Sequence, residues 1–116
     1  MPAAQVQCAG RKSCHERPWE GNGQNGPVSP EAGGWTPVAP SAVPFGGLST
    51  PREATLDDID EVVAAFANAA QTSHLAGVQA VEIHAGHGYL LHQLLSPLDT
   101  QKTDDYGGRW ASGRWG

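Results

Sequence analysis

The chain has 116 residues and a formal net charge of −5 at pH 7. This length suits one small domain, and the acidity argues against a nucleic-acid partner, because phosphate contacts need a basic face. No apolar run approaches the ~18 residues of a transmembrane helix, and the amino terminus has no secretion-signal pattern. Cys8 and Cys14 are too few for a disulfide framework, so we expect reduced thiols in a cytoplasmic protein without a membrane partner.

The first half of the chain is rich in residues that interrupt regular structure. Most of the 15 glycines and 9 prolines precede Arg52. Residues 1–7 can form a weak strand, whereas residues 13–52 have the composition of an irregular loop. A loop of this length is expected to be functional or to order against something else. Trp19 and Trp35 within it predict packing onto a larger body.

A helix is predicted from Thr55 to the residues just before Gly77. Thr55 is a good N-cap, and the helix dipole favours the acidic residues of the first turn, namely Asp57, Asp58 and Asp60. Apolar residues then recur with helical spacing and predict one buried stripe, formed by Ile59, Val62, Val63, Phe66 and Ala70. Gly77 suits the C′ position that ends a helix. A second, short apolar helix is predicted at Leu90–Leu95.

A strand is predicted directly after the long helix, at Ala80–His84. The helix-then-strand order and the continuous apolar character predict a parallel α/β arrangement. Strand alternation would place Val81 and Ile83 toward the surrounding helices. Glu82 and His84 would then face the interior of a barrel. There Glu82 would need a hydrogen-bond partner, because burying an unpaired carboxylate is costly.

Three polar side chains cluster where this strand leaves the sheet: His84, His87 and Tyr89. The carboxyl ends of strands are where parallel α/β folds keep their chemistry. Two imidazole N–H groups converging on one oxygen would stabilise negative charge that develops there, and a nearby phenol could act as a general acid. The alternatives are histidines that only cap the strand end, and a metal site completed by His92. The histidine spacing matches no standard zinc signature.

A longer stretch around these residues carries a family signature. Residues 84–108 read HAGHGYLLHQLLSPLDTQKTDDYGG, and residues 5–12 read QVQCAGRK. Both resemble the Old Yellow Enzyme family, which consists of FMN-dependent NAD(P)H:flavin oxidoreductases built on a TIM barrel. Residues 35–45 (WTPVAPSAVPF) and residues 50–52 resemble the loop after the family's third strand. The resemblance covers residues 4–108.

This resemblance implies functional roles for four side chains. His84 and His87 would hydrogen-bond the carbonyl or nitro oxygen of an activated alkene, the small-molecule substrate. Tyr89 would protonate its Cα after hydride transfer from the flavin to Cβ. Gln5 would match the strand-end glutamine that hydrogen-bonds the FMN ring. NAD(P)H would reduce the FMN and leave before the alkene binds.

The resemblance also predicts how much of the barrel is here. A TIM barrel takes about 250 residues, so residues 1–116 would form a partial domain, about strands three and four with the connecting loop and helix. Cys8 stands where the family has histidine, and the arginine expected after Gly108 is absent, with Arg114 one place off. A second hypothesis is therefore a non-catalytic fragment or pseudogene product without bound cofactor. Unpaired sheet edges in so small a segment would favour self-association.

Overall fold

The fold is known from a computed structural model that describes residues 1–20 and 25–107; Arg114 lies outside these residues. The helices and strands are β1 (Ala3–Val6), β2 (Val38–Ala39), β3 (Arg52–Glu53), α1 (Leu56–Leu75), β4 (Ala80–Ile83) and α2 (Leu90–Leu95), with 3-10 turns at Gly10–Lys12 and Pro30–Ala32. The predicted strands, long helix and short helix are confirmed. The described part of residues 13–52 contains only very short elements.

The main sheet pairs β1 with β4 in parallel, and β2 pairs with β3 in a second, smaller parallel sheet. In the main sheet Gln5 lies opposite Glu82, and Val6 lies opposite Ile83. The connection between the paired strands runs through α1, as a parallel pair requires. The predicted parallel α/β arrangement is thus confirmed. Gln5 Nε2 donates to Glu82 Oε1 at 2.8 Å, but both side chains are exposed in the described residues, so the expected burial of Glu82 is not met.

The start of α1 is fixed by a capping box and an arginine fork. Thr55 Oγ1 accepts from the Asp58 N–H at 3.1 Å, and Asp58 Oδ2 accepts from the Thr55 N–H at 2.7 Å. Arg52 donates to both carboxylate oxygens of Asp58, at 2.6 and 2.8 Å. The hydrogen bonds from Arg52, followed by those from Thr55, hold the pKa of Asp58 well below its usual range. The predicted N-cap is confirmed.

This carboxylate gives the fold an acid sensitivity that a substitution removes. A group with a lowered folded pKa contributes stability above its unfolded pKa, near 3.9 for Asp, and that contribution is lost as the pH falls toward the folded pKa. We expect Asp58→Asn to lower the melting temperature at pH 7 and to flatten its decline below about pH 5. Thermal melts followed by circular dichroism measure both effects. Asp57→Asn is the matched control, since Asp57 shares the turn and lies outside the Arg52 fork. Equal acid sensitivity of Asp58→Asn and the unchanged chain would contradict the prediction.

The predicted apolar stripe of α1 is only partly buried. Ile59 is buried, and Val62, Phe66 and Ala70 are half-buried. Val63 is 62% exposed; it borders an apolar hollow of about 410 Å³ between α1 and α2. The expectation of a fully buried stripe is wrong at this position, because no described element fills the hollow.

The outward face of the main sheet is also incompletely covered. Helix α1 packs against both strands, yet Ile83 remains 58% exposed and Val81 37% exposed. The expected helix cover over these two side chains is therefore incomplete in the described residues. Trp19 and Trp35 are likewise 77% and 62% exposed, so the packing predicted for them is not met by the described part of this chain.

Buried polar contacts tie the residues that flank the long loop to the carboxyl-terminal part. Arg11 is buried and forms an ion pair with Asp99. Lys102 is buried as well, and its Nζ donates to the Ala54 carbonyl at 2.7 Å. Among the described residues, no helix has the length and apolar character that a membrane-spanning segment needs.

Candidate functional site

The three predicted polar side chains meet at the carboxyl end of β4. The His84 N–H donates to the Val6 carbonyl at 3.0 Å, so this residue still follows the β1–β4 ladder. The chain then turns, and His87 Nδ1 lies 3.2 Å from His84 Nε2. The Tyr89 and His84 rings pack in a T-shaped arrangement, with 5.0 Å between the ring centroids and 69° between the ring planes. One strand end and one turn thus assemble an imidazole pair with a phenol beside it.

The contact between the two imidazoles determines what the pair offers to a ligand. When both rings are neutral, one nitrogen of the close pair carries the proton and the other accepts it. One N–H group is then used between the rings, and one N–H group remains to point outward. His87 is exposed and His84 half-buried. A ligand oxygen that reaches the pair can accept a hydrogen bond from the outward N–H group directly. It gains a second donor when the ring–ring hydrogen bond opens.

The turn that carries His87 has an unusual backbone. His87 and Gly88 both have positive φ, at 54° and 67°. Residues with a Cβ rarely adopt this region of backbone conformation. Lys12 Nζ donates to the His87 carbonyl at 2.7 Å. His92 Nδ1 accepts from the Gly88 N–H at 2.8 Å. The turn is therefore held from both sides by side chains rather than by the strand.

His92 accordingly has a structural role in this turn. The metal-site hypothesis needed His92 together with His84 and His87. Within residues 1–20 and 25–107, no group of three or more His, Cys, Asp or Glu side chains is arranged to hold a metal ion. Cys8 and Cys14 are free thiols.

Gln5 lies on the strand next to the cluster and is exposed on the sheet face that it shares with Glu82. The hydrogen bond to Glu82 uses one N–H of the Gln5 amide and fixes its orientation. The amide oxygen and the second N–H stay available, and a flavin ring edge offers both donors and acceptors for them. Gln5 therefore fits the polar edge of a flavin ring.

Most described cations that could bind the phosphate of FMN are already paired with carboxylates. A phosphate is normally bound by free cations or by backbone N–H groups. Every lysine and arginine of the described ranges already has a partner in the chain: Arg11 with Asp99, Lys12 with the His87 carbonyl, Arg17 with Glu20, Arg52 with Asp58, and Lys102 with Asp104. The described residues thus fit the flavin ring, and Lys12 is the one described lysine or arginine without a carboxylate partner that could attract its phosphate.

Sequence reasoning gave no role to Gln93, which is 0% exposed. Its side chain contacts the turn after β4 and the loop after β1. The signal in the sequence that could have identified Gln93 is a single amide side chain on the otherwise apolar face of the helix predicted at Leu90–Leu95. A buried amide must find hydrogen-bond partners, but the sequence does not show which ones.

Parallel strands with polar side chains at their carboxyl ends are the arrangement of an α/β-barrel enzyme. The model of the NADH:flavin oxidoreductase / NADH oxidase family matches residues 5–112, and the chain belongs to this family. The resemblance to the Old Yellow Enzyme family is thereby confirmed.

Individual relatives agree with this assignment. An NADH:flavin oxidoreductase of Gibberella zeae is 44% identical over 108 residues, which are 90% of this chain and 26% of that protein. An NADPH dehydrogenase of Geobacillus thermodenitrificans is 49% identical over 72 residues, 61% of this chain and 21% of that protein. Among solved structures, morphinone reductase superposes with a TM-score of 0.60 and 34% identity, covering 64% of this chain and 24% of that one.

These likenesses establish both the fold class and its extent. The chain is an α/β segment of a TIM barrel, as predicted. It spans about a quarter of the length of the relatives that it matches.

Proposed function

We propose that this chain carries the substrate-oxygen site and the proton donor of an FMN-dependent oxidoreductase that uses NAD(P)H to reduce activated alkenes. One observation carries the proposal. His84 and His87 contact each other through ring nitrogens 3.2 Å apart, and Tyr89 stands beside His84 at the same strand end. Membership of the NADH:flavin oxidoreductase family supports the flavin and the reductant.

The imidazole pair would act on the carbonyl or nitro oxygen of the substrate. That oxygen would first accept a hydrogen bond from the outward N–H group of the pair. The ring–ring hydrogen bond would then open, so that both rings donate to the oxygen. Donors aimed at an oxygen that gains negative charge lower the barrier of the reaction. His84 and His87 are already in contact before the substrate arrives, so little reorganisation is needed.

The phenol of Tyr89 would complete the reduction. FMN, when bound, supplies the hydride that Cβ of the alkene receives. Tyr89 holds a proton beside the imidazole pair, and we assign it the delivery of that proton to Cα. Gln5, oriented by Glu82, would hydrogen-bond the polar edge of the flavin ring. The free state of both cysteines supports the proposed cytoplasmic location.

A second candidate is a non-catalytic chain without cofactor. It is favoured by the carboxylate partners of four of the five described lysines and arginines, which leave Lys12 as the one described cation free to attract a phosphate. The exposed Ile83 and Val81 would then favour association with another copy of the chain.

A hybrid enzyme tests whether this segment can serve the proposed function. In it, residues 5–107 of this chain replace the aligned part of the Gibberella zeae relative, which supplies the rest of the barrel. We expect the purified hybrid enzyme to contain FMN and to oxidise NADH or NADPH when 2-cyclohexenone is added. Flavin absorbance and the nicotinamide absorbance decay are the measurements. A flavin-loaded hybrid enzyme that NAD(P)H reduces, and that no enone or nitroalkene reoxidises, would contradict the proposed function.

A further inference from the structure

The side chain of Gln93 joins the two loops that border the site. Its Nε2 donates to the Gly88 carbonyl at 2.6 Å and to the Ala9 carbonyl at 3.3 Å. Its Oε1 accepts from the Arg11 N–H at 3.4 Å. Gly88 belongs to the turn after β4, whereas Ala9 and Arg11 belong to the loop after β1. One fully buried amide thus bridges two segments about 80 residues apart in sequence.

Only a neutral amide satisfies this set of contacts. Two carbonyl oxygens require N–H donors, and one backbone N–H requires an acceptor, so the orientation of the amide is fixed by its partners. A carboxylate could accept from Arg11 but would lie against the oxygens of Gly88 and Ala9. Space is equally restrictive, because a Cβ at Gly10 would overlap the Gln93 amide.

The bridge ends next to the strained part of the turn. Gly88 directly follows His87, and both have positive φ. A residue with a side chain keeps that conformation only where its surroundings hold it. Gln93 holds the Gly88 carbonyl from the interior, and Lys12 holds the His87 carbonyl from the exposed side. The direction of the His87 ring depends on this backbone.

We propose that Gln93 is a positioning residue that sets the His87 ring against His84. It does not touch the substrate; it acts through the Gly88 carbonyl and the left-handed turn. This inference rests on the proposed function only for its consequence in catalysis. The geometric part, which is the hydrogen bond between the two imidazoles, is measurable without any cofactor or substrate.

The test uses the full chain labelled with ¹⁵N at histidine. In the unchanged chain, at a pH where both rings are neutral, NMR correlation of ring nitrogens and ring protons should show that the tautomers of His84 and His87 are linked, because one proton lies between His87 Nδ1 and His84 Nε2 and one ring donates it where the other accepts. In Gln93→Met, which is close in size but makes no such hydrogen bonds, both rings should show averaged nitrogen signals. Lys102→Met is the matched control, because it removes a buried hydrogen bond far from the histidines. It should lower the melting temperature and leave the two tautomers unchanged.

The hybrid enzyme gives a second, independent measurement should Gln93→Met prevent folding of the chain alone. There Gln93→Met and Gly10→Ala, which displaces the amide, should each lower kcat/KM for 2-cyclohexenone by about 100-fold per flavin, the loss expected of a catalytic group misplaced by ~1 Å. Flavin reduction by NAD(P)H should be unchanged. Unaltered histidine tautomers together with an unaltered kcat/KM per flavin would overturn the positioning role and leave Gln93 as a packing residue. Failure of the unchanged hybrid enzyme to use any alkene would instead count against the proposed function, and the tautomer measurement would still decide the role of Gln93.

Discussion

Replacing either His84 or His87 with alanine in the hybrid enzyme should lower kcat/KM for 2-cyclohexenone by about 10²–10³-fold, the usual loss for one donor to a developing oxyanion. The double variant should lose little more than either single variant. The reason is the 3.2 Å contact between the rings. Removing one imidazole also removes the hydrogen bond that constrains the tautomer and the orientation of the remaining imidazole. The losses in kcat/KM caused by the two substitutions therefore overlap instead of adding.

The measurement is steady-state kinetics of the two single variants and the double variant, corrected for flavin content. A titration of flavin absorbance with phenol gives the matching loss of ground-state affinity. His74→Ala is the control, since His74 lies in the last turn of α1, away from the site. Fully additive losses would mean that the rings act independently. Unchanged phenol affinity in the double variant would rule out the oxygen-binding role.

Replacing Tyr89 with phenylalanine should separate the two half-reactions. Phenylalanine keeps the aromatic ring, so the packing against His84 at a centroid distance of 5.0 Å should persist. Only the phenolic hydroxyl group, which carries the proton, is lost. A positioned general acid contributes about 10²–10⁴-fold, so reoxidation of the flavin by the enone should slow by that factor, while reduction by NAD(P)H needs no such proton and should stay the same.

Stopped-flow absorbance follows each half-reaction separately. Tyr106→Phe is the control, because it removes a phenol that borders the apolar hollow between α1 and α2 rather than the imidazole pair. Equal slowing of both half-reactions in Tyr89→Phe would point to a general disturbance of the flavin site. That result would remove Tyr89 from the role of proton donor.

The parts of the site that lie close together in sequence were predictable. His84, His87 and Tyr89 follow one strand and one turn, so local pattern was sufficient to place them together. The start of α1 was predictable for the same reason, since the capping box joins Thr55 and Asp58, three residues apart.

Contacts between distant segments were not predictable from pattern alone. The partner of Glu82 is Gln5, 77 positions away, and it became visible only when β1 was seen beside β4. Gln93 depends in the same way on Ala9, 84 positions away. Exposure also follows from the neighbours that an element has. Val63 lies in the predicted apolar stripe yet remains exposed, because the periodicity of a helix shows which face is apolar and not what covers it.

The central claim is that the end of β4 is the alkene site of a flavin oxidoreductase. Its most direct test is a single-turnover experiment on the hybrid enzyme without oxygen. The flavin is first reduced with NAD(P)H and then mixed with 2-cyclohexenone, in the unchanged hybrid enzyme and in one carrying His84→Ala, His87→Ala and Tyr89→Phe together. We predict that reduction is the same in both and that rapid reoxidation occurs only with the intact cluster. Equal reoxidation rates in the two proteins would contradict the claim.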